Sequence, residues 1–133
     1  MTDAELTRAL ERGEVPNEGF HHADHLRVAL VYLNESPSID AAIGRMASTL
    51  SRFAASVGQA GKYSQPVTEF WMYQMAAARA VLPSADCDAL LRAYPRLLDK
   101  NLILAYYSND AAATRTTDSP GDAPDRALPR RPA

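Results

Sequence analysis

A single cysteine, Cys87, stands in this chain of 133 residues, so no internal disulfide can form and no zinc site with two or more thiolates can be built. A reducing compartment fits that composition. Long apolar runs are missing, and none approaches the roughly 20 residues of a membrane span. The acidic opening Met1-Thr2-Asp3-Ala4-Glu5 lacks the basic-then-apolar order of a secretory signal, and a cytoplasmic location is expected. Charge of one sign is not in excess either. Lys and Arg together number 14 against 16 Asp and Glu, and the basic residues are scattered, so there is no footprint for a nucleic-acid backbone or an anionic membrane. The chain has no Gly-rich phosphate loop, no Gly-x-Ser-x-Gly elbow and no dinucleotide fingerprint. No stretch alternates apolar and polar residues with period two, which argues against half-buried strands.

What is present is helical periodicity. Apolar residues make up 47% of the chain and charged residues 23%, enough to build one core without a partner. Thr2 and Glu5 have capping-box spacing, and Leu6 and Leu10 share a face, predicting a helix from Asp3 to Arg12 that Gly13 stops. From His22 to Asn34 the residues His22, Leu26, Ala29, Leu30 and Leu33 fall on one face, with His25 at its edge. Ser36-Pro37-Ser38 breaks the chain, and Ser38 caps the clearest amphipathic stripe, Ile39, Ile43, Met46, Leu50, Phe53 and Val57, which Gly58 ends. A fourth helix carries Pro66 in its first turn and runs through Val67, Phe70, Trp71, Met75 and Ala78 to Pro83. Ser84 is expected to cap a short fifth helix with Leu90 and Leu91, limited by Pro95, and a last helical stretch is expected over Leu97 to Tyr106. The fold class is therefore all-α, a compact bundle of five or six helices over residues 1–108. Residues 109–133, rich in Ala, Thr, Asp, Ser, Gly and Pro, read as a disordered tail.

All three histidines, His21, His22 and His25, fall within five positions and enclose Asp24. Residues three or four apart on a helix are neighbours, so up to four titratable groups share one turn at a helix start. The positive end of the helix dipole disfavours imidazolium, leaving a neutral base, whereas a flanking carboxylate such as Asp24 favours it and fixes the tautomer. Three accounts compete. His22 and His25 can serve as acid and base. His21, Asp24 and His25 can hold one divalent metal, given the i, i+4 histidine spacing. Or the same residues are structural, with Asp24 a first-turn carboxylate, His21 a solvated residue and His22 an inward-facing histidine. Tyr63, in a loop before a helix, is a candidate phenolic donor, whereas Trp71 at helical spacing also suits a core.

The segment Phe20-His21-His22-Ala23-Asp24-His25-Leu26-Arg27, then Gly61-Lys62-Tyr63-Ser64 with Thr68, then Leu97-Leu98-Asp99-Lys100 and Tyr106-Tyr107-Ser108, resembles the landmarks of a largely uncharacterised family of small bacterial helical proteins. Its signature is Phe-x-His-Ala-Asp-His-x-Arg. The resemblance spans Phe20 to Ser108 and implies a shared fold and site rather than a particular reaction. This chain departs from the pattern at Ser64, where a histidine follows the loop tyrosine in the family.

The expectation drawn from these residues is a small-molecule enzyme of lyase, isomerase or cyclase type in bacterial specialised metabolism. His22 or His25 would move the proton, Asp24 would orient an imidazole and Tyr63 would donate to the substrate, with His21, Thr68, Trp71 and Lys100 as further contacts. No cofactor is expected; the alternative is a non-catalytic module for a small ligand or the divalent metal. A small-molecule substrate and, as a homodimer, a second copy of the chain are the partners entertained; nucleic acid and membrane are not.

Overall fold

A computed structural model describes residues 1–105, apart from the side chain of Asn17. The expected tail over 109–133, and the end of the last expected helix at Tyr106, lie outside the described residues. Among the described residues the chain is all-α, with five α-helices, four short 3-10 segments and no strand. It divides into two compact units, Met1–Tyr63 and the part from Ser64 onward.

The first unit holds α1 (Asp3–Glu11), α2 (His22–Glu35) and α3 (Ile39–Ser56), each packed on the other two. Local chemistry sets their ends. Thr2 accepts from the Glu5 amide at 3.0 Å while the Glu5 carboxylate accepts from the Thr2 amide at 2.8 Å, so the expected capping box is formed. Ser38 caps α3 through the Ala41 amide at 3.0 Å. Both α1 and α3 end at glycines with positive φ, Gly13 at 72° and Gly58 at 74°. Around each the two amides after the cap turn back onto the last carbonyls: Gly13 to Leu10 and Glu14 to Ala9, then Gly58 to Ala55 and Gln59 to Ala54. By contrast α2 ends where Ser36 turns extended before Pro37, because the proline ring excludes helical geometry from the residue it follows.

The stripe on α3 is buried from Ile43 through Met46 and Leu50 to Phe53. On α2 the buried surface is wider than one stripe, taking in Val28 and Tyr32 as well as Leu26, Ala29, Leu30 and Leu33. The reason is that α2 is flanked by both α1 and α3, which cover two sides of it.

In the second unit α4 (Gln65–Val81) starts at Ser64 with Pro66 in its first turn, and α5 (Cys87–Ala93) follows. Leu82 before Pro83 and Tyr94 before Pro95 both leave helical geometry, as Ser36 does before Pro37. The cap of α5 is Asp86, which accepts from the Ala89 amide at 2.8 Å, and not Ser84, which lies in the preceding turn. The expected last helix is instead two 3-10 turns, Pro95–Leu98 and Leu102–Ala105. Asp99 separates them: its backbone is extended and its carboxylate accepts from the Asn101 amide at 3.0 Å, a local bond that competes with helix continuation. Leu102 and Ile103 still reach a core around Phe70, so the periodic apolar residues are buried although the helix is not regular.

Phe53→Ala should destabilise the protein by about 3–5 kcal/mol, since a buried ring is lost and a cavity left. Urea unfolding with an unchanged slope would measure this, and a parental midpoint would show that the α3 stripe does not form the core.

Candidate functional site

The histidine cluster forms the start of α2. His21 is the N-cap, exposed and extended at φ −103°, ψ 174°, and its carbonyl accepts from the amides of Asp24 and His25 at 3.0 and 3.1 Å. The Asp24 carboxylate reaches back to the His21 amide at 3.0 Å. Phe20, just before the cap, lies against His25 with ring centroids 4.3 Å apart and planes 32° off parallel. These are the contacts of a capping interaction plus a hydrophobic staple, with an imidazole where a staple usually has an aliphatic side chain. Behind the staple, Phe20 meets Phe53 of α3 edge-on at 5.3 Å, so the start of α2 is anchored on the C-terminal half of α3.

Asp24, expected to orient an imidazole, thus has one carboxylate oxygen engaged by the backbone. His22 is half-buried at the first helical position, one turn before His25. Burial pushes the His25 pKa down to about 4; the neighbouring His22 acts in the same direction and Asp24 opposes it. His25 is therefore neutral across the physiological range. Tyr63 closes the same unit, half-buried after the 3-10 turn Ala60–Lys62 that packs on α3, with its amide bound to the Ala60 carbonyl at 3.3 Å.

The other expected contacts belong to the second unit. The Thr68 hydroxyl donates to the Ser64 carbonyl at 3.0 Å and is buried. Trp71 stands edge-on to Phe70 at 5.0 Å and packs with Leu102 and Ile103, a core position. Lys100 is exposed in the turn between the two final 3-10 segments. Among the described residues, no three His, Cys, Asp or Glu side chains are grouped so as to hold a metal ion, so His21, Asp24 and His25 do not converge on one centre.

A second polar cluster in the first unit has no counterpart among the sequence motifs. Tyr32 is fully buried, and its hydroxyl donates to Glu11 at 2.6 Å and shares a hydrogen bond with Thr49 at 2.7 Å. Arg8 bonds both oxygens of Glu35 at 2.5 and 2.6 Å and reaches Glu11 at 2.9 Å. Arg45 lies 4.4 Å above the Tyr32 ring and 3.2 Å from Glu35. Burial, reinforced by the Glu11 carboxylate, pushes the Tyr32 phenol up to about 12. Burial alone would raise Glu11, but the bonds from Tyr32 and Arg8 hold it below the usual carboxylate range. A shallow groove runs past Tyr32, Arg45, Ser48 and Arg52, yet the charged groups beside Tyr32 are engaged with one another, as in a structural network. Tyr32 falls beside the apolar stripe of α2 and not on it, so helical periodicity gave no signal of its burial.

No family model, curated protein or solved structure matches this chain.

The depressed pKa of His25 has a thermodynamic consequence. Its folded value of about 4 lies below the ordinary 6.5, so the unfolded chain binds the extra proton between those pH values and stability falls as pH drops through the window. At most about 3 kcal/mol is involved. His25→Leu should keep the staple, abolish that slope between pH 6.5 and 4, and leave stability at pH 7 equal or higher. Thermal melts across the window measure it, and the same slope in both proteins would show that His25 titrates normally.

Proposed function

We propose that this chain is a small-molecule enzyme of lyase, isomerase or cyclase type, acting on an enolisable carbonyl compound through the paired imidazoles at the start of α2. One observation carries the reading: His25 occupies a stapling position that an aliphatic side chain would fill without the cost of desolvating an imidazole. A neutral imidazole beside a helix N-terminus is suited to hydrogen-bonding a carbonyl oxygen as negative charge develops there. With a pKa of about 4, His25 is a weak base, which favours this donor role over proton abstraction. His22, one turn earlier and half-buried, then takes the proton from the carbon next to the carbonyl and returns it to the product carbon or to solvent. Tyr63 supplies a phenolic hydrogen bond to the substrate. A second reading, a non-catalytic module for a small ligand, draws on the capping contacts that already engage His21 and Asp24.

A panel of carbonyl compounds tests the reaction class without the natural substrate in hand. Ketones, β-keto esters and β-hydroxy acids are incubated in D2O with the full chain, and deuterium incorporation beside the carbonyl is followed by NMR. At least one should exchange faster than without protein, and His22→Asn should reduce that rate roughly 100-fold to 10,000-fold while the variant keeps the parental melt. EDTA should not alter the rate. Loss of exchange on chelation overturns the metal-free reading in favour of a bound metal, and the absence of protein-dependent exchange across the panel ends the catalytic reading.

A further inference from the structure

The second unit contains a cleft at the C-terminal end of α4, about 270 Å³ in volume and mainly apolar. Ala77, Ala78 and Val81 form one wall from α4, and Leu97 and Leu102 the other from the two 3-10 turns. The small alanines keep the space open. Val81 is 63% exposed, an unusual position for a large aliphatic residue among the described ones. Three polar side chains also line the cleft: Gln74, Tyr94 and Arg96. None of the three has a side-chain hydrogen bond or ion pair among the described residues. The contrast with the groove beside Tyr32 is direct, because there Glu11, Arg45, Tyr32 and Thr49 are bound to one another. An apolar cleft with a few unengaged polar groups at its edge is the usual composition of a small-ligand site.

The charge of the lining selects the ligand. Among the described residues Arg96 is the one charged side chain lining the cleft, and its planar guanidinium matches a carboxylate in two parallel hydrogen bonds. The α4 C-terminus opposes an anion with roughly half a negative charge, less than the full positive charge of Arg96. The volume lies just below the roughly 300 Å³ at which drug-sized pockets begin, which suits about ten non-hydrogen atoms. We propose that this cleft binds a small monocarboxylate with an aryl or branched alkyl body, its body against Ala77, Ala78 and Val81 and its carboxylate on Arg96. Tyr94 and Gln74 supply further hydrogen bonds to the same headgroup. The site draws on none of the residues assigned to proton transfer and is independent of that reading.

Amide chemical-shift mapping of the full chain with phenylacetate, 2-phenylethanol and 2-phenylethylamine tests the proposal. These probes share a body and differ in the charge of the head. Phenylacetate should give saturable shifts confined to residues 77–82 and 94–98, and bind at least about tenfold more tightly than the amine. Arg96→Gln, at an exposed side chain, should reduce acid binding to the level of the alcohol, and Ala77→Leu should abolish binding of all three by filling the cleft. Absence of saturable shifts at those amides, equal binding of acid and amine, or undiminished acid binding by Arg96→Gln would each overturn it. Should Ala77→Leu fail to fold, the Arg96→Gln titration still decides.

Discussion

A phenol with no access to water must find partners inside the protein, and in the first unit the Tyr32 hydroxyl imposes that requirement on both neighbouring helices. Its partners are Glu11 on α1 and Thr49 on α3, so one buried oxygen ties all three helices together. The choice of Glu11 then propagates. A half-buried carboxylate calls for positive charge, which Arg8 and Arg45 provide, and both arginines also pair with Glu35. As ion pairs at partly exposed positions these contribute little each, about 1 kcal/mol or less. Their effect is on alignment: shifting α2 by a turn relative to α1 or α3 would leave the phenol and the carboxylate without partners at a cost of several hydrogen bonds, whereas the aliphatic contacts alone would tolerate such a shift far better.

At the start of α2, one short run of residues meets two demands. Phe20, His21 and Asp24 satisfy the open amides and entry angle of a helix, while His22 and His25 place imidazoles one turn apart beside the positive end of its dipole. Capping holds the backbone still, and a rigid backbone keeps two imidazoles at a fixed separation, which is a condition for any chemistry they share. The Phe20 ring lies against His25 and itself meets Phe53 edge-on, so the imidazole is held on an aromatic pair anchored to α3.

Much of this architecture was legible in the amino-acid order because its determinants are local. Thr2 with Glu5, Ser38, Gly13, Gly58, Pro37, Pro83 and Pro95 act within a few residues, and the α3 stripe declares its own buried face. The departures arise where two local preferences compete or where the partner is distant. Ser84 and Asp86 are both competent caps, and the carboxylate two residues later has the one that forms. Leu97, Leu102 and Ile103 are buried as periodicity suggests, but Asp99 turns its carboxylate onto a nearby amide and breaks the helix into 3-10 turns. Tyr32 lies 21 residues from Glu11 and 17 from Thr49, and no spacing rule connects them. At the site itself, the grouping of His21, His22 and His25 at a helix start was readable; the engagement of Asp24 by the His21 amide and of Thr68 by the Ser64 carbonyl was not, because such bonds depend on backbone geometry.

The arrangement of α1, α2 and α3 also governs how quickly the first unit can assemble. The connections between successive helices are short, and two of the three helix pairings join neighbours in sequence, so little chain entropy is lost before native contacts form. Helical units dominated by such near-neighbour contacts commonly reach the native state in microseconds to milliseconds. The third pairing, α1 with α3, closes the longest loop and includes the ion pair between Glu11 and Arg45. A nucleus of α2 with either neighbour can therefore form first, carrying the Tyr32 bonds to that neighbour, while the Glu11–Arg45 contact between α1 and α3 closes over an arrangement that the nearer pairings have already brought close.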